Sequence, residues 1–362
     1  MDRPGAVPQW SWQQVSVRRL ARHGLSTPLP DASPADVARV ICGAHAQIMS
    51  AAEVSIALRL RFSTRSTVKE AWYVHRTLVK TYGPRGTVHL LPTRDLPMWT
   101  AALSALPRTT SVPAQQRMTD QQTEHVIEAI ADSLEGTELT MDELSTSVIA
   151  RTGSWAGDLV MPAFQDMWPR WRQAIATAAH RGALVFGPPR GRQVTFTSPR
   201  RWWPDFHVGE PQDSLGALVR GYLDAYGPAR SRDFAQWLGA APRWAAERFA
   251  ELEGALECVD VEGVTAWVTA GDADPPSGSL PGVRLLPYFD AYLVGCHPRD
   301  RLYPGRAGER ALSATRQAGT YPVLLVDGLV AGVWHTRRSG QHVQVSVEPF
   351  GAVSTRQRRG LD

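Results

Sequence analysis

A structural unit that recurs along the chain constrains the fold more than any other feature of the sequence. Each copy reads as a helix, a short break, a second helix, a turn, a longer helix and a two-strand hairpin. The clearest copies begin at Gln121 and Leu215, and an earlier one includes the strand-like segment that ends at Pro92. Because this is the element order of a winged helix, the sequence predicts three such units in tandem, repeated in architecture more than in sequence.

The predicted fold class is α+β, with three tandem winged-helix units followed by a small C-terminal antiparallel β-barrel or sheet. The predicted segments are a lead-in at 1–35, winged helices at 36–110, 111–205 and 206–272, and a β domain at 283–352. The Gly- and Pro-rich stretch 271–282 marks the last boundary. Asp327-Gly328 and Ser339-Gly340 are hairpin turn signals within the β domain.

Two capping patterns predict the local structure around a short polar motif. Ser33-Pro34 has the features of a helix start, and a helix of about ten residues would run from there to the region of His45. Ser50-Ala-Ala-Glu53 has the spacing of a capping box and predicts the start of the next helix. His45 and Gln47 would then lie at a helix end, where side chains two positions apart can converge.

Further along the chain, two longer segments carry element predictions. A helix is predicted over about 163–181, before a hairpin-like pair of strands that reaches residue 196. After the Gly- and Pro-rich boundary, residues 283–295 are predicted to form a buried strand or strand pair.

Charge is distributed unevenly along the chain. Residues 1–110 carry 14 basic and 6 acidic side chains (+8), residues 111–280 carry 14 and 23 (−9), and residues 281–362 carry 11 and 6 (+5). Two basic ends around an acidic middle indicate that a polyanion binds at the ends. The alternative is a solvated surface without a partner. For the acidic second and third units, a role as pure protein scaffold is equally compatible with the sequence.

Composition argues against several other classes of protein. No apolar run reaches the roughly 18 residues of a membrane span, and the N-terminus lacks a signal-peptide pattern. The three cysteines, Cys42, Cys258 and Cys296, are far apart. Neither a disulfide framework nor a metal cluster is expected, and a reducing cytoplasm fits. Cys42 is expected to pack as a small apolar residue.

Several motifs together resemble the AlkZ-type DNA glycosylases over about residues 30–350. They are His45-Ala-Gln47 followed by Met49-Ser-Ala51, the three winged-helix units, Leu285-Leu-Pro-Tyr-Phe-Asp290 with Arg299 downstream, and Val326-Asp-Gly-Leu-Val-Ala-Gly-Val-Trp334. The resemblance implies excision of N7-alkylated purines, including bulky adducts made by DNA-alkylating antibiotics, often as self-resistance. It also implies that His45 and Gln47 are the catalytic residues, at positions where glutamines are commoner in the family.

With a histidine at the first position, the motif resembles that of a family subgroup associated with bulky intercalating alkylators such as trioxacarcin and the pluramycins. The resemblance leaves open which adduct is excised and whether interstrand crosslinks are unhooked. No cofactor is expected. The expected partner is double-stranded DNA carrying N7-alkylguanine, with no membrane involved, and the chain is expected to be a monomer in the cytoplasm, associated with the nucleoid.

The chemistry of the motif is consistent with that activity. N7-alkylguanine is cationic and leaves without being protonated, so the enzyme must place a water at C1′ and stabilise positive charge on the sugar. The Gln47 carbonyl can hold a water, and a neutral His45 can accept its proton. Lys69 and Lys80 are the only lysines. Neither is an obvious Schiff-base nucleophile, so a monofunctional enzyme without lyase activity is predicted.

Candidate DNA contacts come from one serine and the arginines of the C-terminal segment. They are Ser50, Arg299, Arg301, Arg306, Arg316, Arg337 and Arg338. Arg337 and Arg338 adjoin the second turn signal, where a hairpin could enter a groove, although an exposed turn without a ligand explains them equally well.

Other functions remain compatible with the sequence. Without the family resemblance, His45 and Gln47 could be a buried polar pair that caps a helix. A winged-helix transcription regulator is the main alternative, but no long amphipathic dimerisation helix is visible. A non-catalytic protein that binds adducts is the third.

Overall fold

The computed structural model describes residues 6–107, 112–162, 166–280, 282–340, 342–352 and 354–361. The chain divides into two compact units. The first unit is Met1–Ala71 together with Val219–Asp362, and the second is Trp72–Leu218. The predicted boundaries at 110/111 and 205/206 both fall inside the second unit, and the predicted five-segment division stays a prediction.

Helices account for much of both units. Within the described residues they are α1 (Trp12–Arg22), α2 (Pro34–Val40), α3 (Met49–Ala57), α4 (Arg65–Tyr73), α5 (Leu96–Ser104), α6 (Asp120–Ser133), α7 (Met141–Thr152), α8 (Ile175–His180), α9 (Pro211–Tyr226), α10 (Ser231–Leu238), α11 (Pro242–Ala250), α12 (Ala291–Gly295), α13 (Arg299–Leu302), α14 (Arg306–Arg310) and α15 (Thr355–Arg359). No helix in the described ranges is long and apolar enough to cross a membrane.

The strands are short and form small sheets. Over the same ranges they are β1 (Gln9–Trp10), β2 (Ala44–His45), β3 (Leu78–Tyr82), β4 (Val88–Pro92), β5 (Glu138–Thr140), β6 (Leu159–Pro162), β7 (Met167–Pro169), β8 (Val185–Arg190), β9 (Gln193–Thr197), β10 (Leu256–Val261), β11 (Val264–Thr269), β12 (Val283–Leu286), β13 (Val323–Val326), β14 (Leu329–Ser339) and β15 (His342–Pro349).

The first unit is built around two sheets. In one, β1 pairs parallel with β10, which pairs antiparallel with β11. Trp10 and Val15 pack there against Val259 and Val268, so the predicted N-terminal lead-in is part of this core. In the other, β12, β13, β14 and β15 pair antiparallel in that order. Because β12 and β15 remain its two edges, the C-terminal strands form an open sheet and not a closed barrel.

Both hairpin turn signals in the C-terminal sheet are confirmed. Asp327 (φ 50°) and Gly328 (φ 85°) join β13 to β14, with positive φ at both positions, as a type I′ turn requires. Gly340 (φ 59°) lies between β14 and β15, whose pairing closes at Ser339 and His342. The prediction of a buried strand or strand pair over 283–295 was right only as far as Leu286, because residues 291–295 are helical.

The second unit contains the three-stranded sheet β5–β9–β8 together with the hairpins β3–β4 and β6–β7. The predicted hairpin before residue 196 is confirmed as β8 and β9. The predicted helix over 163–181 was wrong over the described residues before Ile175, and its residues 163–165 lie outside the described ranges. Met167–Pro169 is a strand and a 3-10 turn follows, so the α-helix starts only at Ile175. Pro169 explains the break, because its ring disfavours a helical conformation at Trp168.

Candidate active site

The chain reverses direction just before the His45 motif, within the first unit. Helix α2 begins where predicted, with the Ser33 hydroxyl accepting from the Asp36 N–H. It ends earlier than predicted because Cys42 (φ 54°) and Gly43 (φ 92°) both adopt left-handed conformations. The hydroxyl of Tyr226 donates to the Ile41 carbonyl at 2.7 Å and ties this reversal to α9.

His45 therefore lies in strand β2 and not at a helix end. Its side chain is only 8% exposed, whereas Gln47, in the bend that follows, is exposed. The predicted helix end is therefore wrong: His45 ends a two-residue strand and Gln47 lies in a bend. That the two side chains serve one site stays a prediction.

The start of α3 also differs from the sequence prediction. The helix begins at Met49 after Ile48, which provides no side-chain cap, and Ser50 is an exposed residue of the first turn. Glu53 is not a capping residue. It is 1% exposed, and its carboxylate accepts from Arg65 Nε at 2.7 Å and lies 3.9 Å from Lys69 Nζ. A buried, paired carboxylate six residues after Gln47 was not recognised in the sequence, because its spacing to Ser50 favoured a cap.

The imidazole of His45 stacks on the ring of Phe289. The ring centroids are 4.6 Å apart and the planes are inclined by 22°. Phe289 belongs to the turn 287–290 between β12 and α12. It has a left-handed backbone (φ 53°), which is uncommon for a non-glycine residue. Its N–H donates to the Gly319 carbonyl at 2.8 Å.

The residue after Phe289 anchors this turn to α3. The Asp290 carboxylate accepts from both terminal nitrogens of Arg59, at 2.9 and 2.8 Å, and from the Ser55 hydroxyl at 2.6 Å. Arg59 and Asp290 have no exposed side-chain surface. Burial alone would raise the pKa of Asp290. Arg59, Ser55 and the Tyr292 N–H together nevertheless hold the pKa of this carboxyl below its usual range.

Arg299, predicted to contact DNA, is engaged inside the protein. Its guanidinium donates to the carbonyls of Leu293, Val294 and Cys296, at the C-terminal end of α12. Such contacts satisfy carbonyls that a helix end leaves without partners. The other predicted arginines are exposed: Arg301, whose guanidinium lies 5.4 Å from the Trp12 ring, Arg306, Arg316, Arg337 and Arg338.

Several N-terminal arginines also make hydrogen bonds inside the protein that connect α1 to α9. Arg18 of α1 donates to the carbonyls of Leu223, Asp224 and Gly227 at the end of α9, and Arg19 donates to those of Tyr226 and Pro228. With Arg59, these buried cations contribute to the +8 of residues 1–110 without facing solvent. The charge pattern therefore overstated how much of the basic N-terminal segment is open to a polyanion. No sequence signal separates a guanidinium that caps a helix from one that binds phosphate.

Comparison with known proteins is consistent with this architecture. A family model described as DNA glycosylase AlkZ-like matches residues 37–362. The interstrand DNA cross-link repair glycosylase of Streptomyces sahachiroi is 34% identical over 355 residues, covering 90% of this chain and 87% of that protein. The solved structure of Streptomyces sahachiroi DNA glycosylase AlkZ superposes with a TM-score of 0.79 at 28% identity. That match covers 96% of this chain and 94% of the other. The chain therefore belongs to the AlkZ-like family of DNA glycosylases.

Proposed function

We propose that the chain is a monofunctional DNA glycosylase that hydrolyses the N-glycosidic bond of bulky N7-alkylguanine adducts, with His45 and Gln47 as its catalytic residues. The observation that carries the proposal is the placement of the pair. The buried imidazole of His45 ends strand β2, and the exposed amide of Gln47 lies in the bend that follows, two residues before α3 begins.

The proposed reaction is a hydrolysis. Water attacks C1′ of the damaged nucleotide, and the C1′–N9 bond breaks. The bonding electron pair moves to the purine and neutralises the positive charge that N7 alkylation created. Gln47 holds the water through its amide oxygen, and His45 accepts the proton that the water loses. Because the alkylated base leaves without protonation, the site needs no carboxylic acid. Glu53 is engaged with Arg65 and Lys69 and is given no role in the reaction.

Interstrand crosslinks are a second candidate substrate. The observation in favour is the name of the 34% identical relative, an interstrand DNA cross-link repair glycosylase. In this chain His45 stands at the first motif position. We propose that the preferred substrate is a bulky N7-alkylguanine adduct on one strand of duplex DNA. The proposed biological role is self-resistance to an intercalating, DNA-alkylating antibiotic.

The proposed DNA contacts are Ser50 and the exposed arginines among those predicted in the C-terminal segment, Arg301, Arg306, Arg316, Arg337 and Arg338. Arg337 and Arg338 lie in the last part of β14, which continues through a tight turn into β15. A projecting two-stranded ribbon of this kind fits a DNA groove. The helices α6, α7 and α8 around the sheet β5–β9–β8 support the proposal of winged-helix units.

The substrate class is tested by incubating the protein with duplexes alkylated by several agents and identifying the products. We expect free alkylguanine and an abasic site from N7-adducted duplexes, with bulky adducts released faster than N7-methylguanine. Crosslinked duplex should be unhooked more slowly than the bulky adduct is released. Faster unhooking would make the second candidate the preferred substrate.

The same incubation separates the proposed enzyme from the other two classes. Tight binding of adducted DNA with no abasic product after heat or alkali would identify an adduct-binding protein. Binding to one undamaged operator sequence without base release would identify a regulator. Borohydride added during turnover should trap no covalent protein–DNA adduct, and a trapped adduct would contradict the monofunctional assignment.

A further inference from the structure

The ring of Phe289 stacks on the imidazole of His45. A histidine at the end of a two-residue strand can rotate about two side-chain bonds. A flat partner at 4.6 Å, inclined by only 22°, restricts the second of these rotations because turning the imidazole would drive its edge into the phenyl ring.

The backbone of the turn shows that Phe289 is held in place by specific constraints. An aromatic residue at φ 53° is a conformational outlier, and such conformations persist only where the surrounding structure enforces them. On one side, the Phe289 N–H is bonded to the carbonyl of Gly319. A Cβ on Gly319 would come within 2.8 Å of the Phe289 Cα, so the approach is as close as glycine permits.

On the other side, Asp290 fixes the turn to α3 through Arg59 and Ser55. Helix α3 begins two residues after Gln47. The segment that starts with α3 therefore leads directly from the second proposed catalytic residue. Through Ser55 on the helix and Arg59 just after it, the same segment anchors the turn that carries the ring stacked on the first. A phenylalanine that only filled the core would need neither the left-handed backbone of Phe289 nor the buried ion pair of Asp290 next to it.

We infer that Phe289 is a positioning residue, whose ring fixes the plane of the His45 imidazole so that one ring nitrogen faces the attacking water. The inference rests on the proposed function of His45. It predicts an effect on the chemical step and not on DNA binding, because the Phe289 ring acts through its stack on the imidazole.

The test uses the full chain and three variants. Phe289→Leu removes the flat ring, Phe289→Tyr retains it, and Phe249→Leu removes a buried ring from α11 of the same unit, where it packs against Phe234. Single-turnover release of a bulky N7-alkylguanine and the dissociation constant for the same duplex are measured for each. We expect Phe289→Leu to release base at least roughly tenfold more slowly, since small displacements of a catalytic group have effects of this size or larger. Its DNA affinity should stay within about twofold of wild type, a change smaller than a single lost contact causes.

The tyrosine variant should recover most of the rate, and Phe249→Leu should leave it unchanged below its melting temperature. A spectroscopic readout tests the stack directly. The phenyl ring shields the carbon-bound protons of His45, so their NMR lines, identified by their absence from His45→Ala, should move downfield in Phe289→Leu and not in Phe249→Leu.

The outcomes separate the inference from the proposed function. If wild type releases base and Phe289→Leu releases it at the same rate, or if the His45 lines do not move, the positioning role is wrong while the glycosylase assignment stands. A loss of rate in Phe289→Leu that tyrosine fails to restore would also contradict a role for the ring. If wild type releases no base from any alkylated duplex, the proposed function fails, and the positioning role fails with it.

Discussion

Single residues in the first unit carry charge in places that water cannot reach. Arg59 and Asp290 form a two-pronged ion pair without exposed side-chain surface, and His23 is completely buried beside them, with its Nε2 3.1 Å from the Ala225 carbonyl. The sequence predicted none of these roles. Asp290 stood within a motif that signalled the family, but its partner is 231 residues earlier in the chain, and no local pattern connects the two.

Breaking the Arg59–Asp290 pair should destabilise the first unit strongly. Asp290→Asn leaves a buried guanidinium without its counter-charge, and we expect it to lower the free energy of unfolding by about 3–5 kcal/mol. Urea unfolding measures the change. Arg243→Ala, which removes an exposed pair with Glu247 on α11, is the matched control and should cost at most about 1 kcal/mol. Equal losses in the free energy of unfolding from both variants would mean that the buried ion pair stabilises the protein no more than the exposed one.

The buried His23 should make stability depend on pH. Burial, followed by the nearby Arg59 charge, lowers the pKa of His23 to about 3, whereas a free histidine titrates near 6.5. Between these values the unfolded chain binds a proton that the folded chain does not. His23 should therefore remove about 1.4 kcal/mol of stability for each pH unit that the pH falls below roughly 6.5.

Urea unfolding at pH 7 and pH 5 measures that slope, and His23→Gln should flatten it. His180 of the second unit, whose pKa burial lowers to about 4, should add a similar slope that His23→Gln leaves in place. Asp290 acts in the same direction only below its ordinary pKa of 3.8, where the carboxyl of the unfolded chain takes up a proton that the folded carboxyl, with its lowered pKa, does not. An unchanged slope in His23→Gln would show that the residue is protonated in the folded protein.

At the level of elements, the sequence predicted regular structure better than the connections around the site. The N-cap of α2, the hairpin β8–β9 and both C-terminal turns follow from local chemistry and were found as predicted. The end of α2 and the start of α3 were not. The end of α2 depends on left-handed conformations at Cys42 and Gly43, and the cysteine gives no signal for one. The cap predicted at Ser50 was displaced because Glu53 is paired in the tertiary structure with Arg65.

The turn that carries Phe289 should be intolerant of a side chain at Gly319. Gly319→Ala combines a left-handed backbone (φ 86°) with a Cβ only 2.8 Å from the Phe289 Cα. Gly254→Ala has the same conformation (φ 87°) with nothing within 4 Å, so it isolates the backbone cost of about 1–2 kcal/mol. We expect Gly319→Ala to be less stable than this control by at least about 1 kcal/mol, because the clash must be relieved by movement of the turn. It should also slow base release. Equal stability and equal rates of base release in the two variants would show that the turn 287–290 moves to accept the Cβ at little energetic cost.

Across the whole molecule, the division into two units could not be derived from the sequence. The first unit combines both ends of the chain, because Arg18, Arg19 and His23 of α1 bond to the end of α9 and β1 pairs with β10. The family resemblance did identify a DNA glycosylase, through motifs at His45 and at Asp290 that the fold places in one unit. Net charge was a weaker guide, since the most buried arginines serve the fold.

Binding of DNA should depend on the exposed arginines of the C-terminal sheet. Arg337→Ala and Arg338→Ala should each weaken binding on every sequence alike and reduce the slope of log K against log salt by about 1. Arg243→Ala removes an exposed arginine from α11 and serves as the control for net charge. A salt slope that stays unchanged in both hairpin variants would place the DNA path elsewhere.

We propose that His45 and Gln47 carry out the chemistry, and the most direct test is single-turnover release of a bulky N7-alkylguanine by His45→Ala and Gln47→Ala. His125→Ala, which removes an exposed histidine of α6, is the control. We predict that the two motif variants bind the duplex as wild type does and release base at least roughly 100-fold more slowly, the lower range for loss of a general base, while the control keeps the wild-type rate. Near-wild-type release by both motif variants would contradict the account.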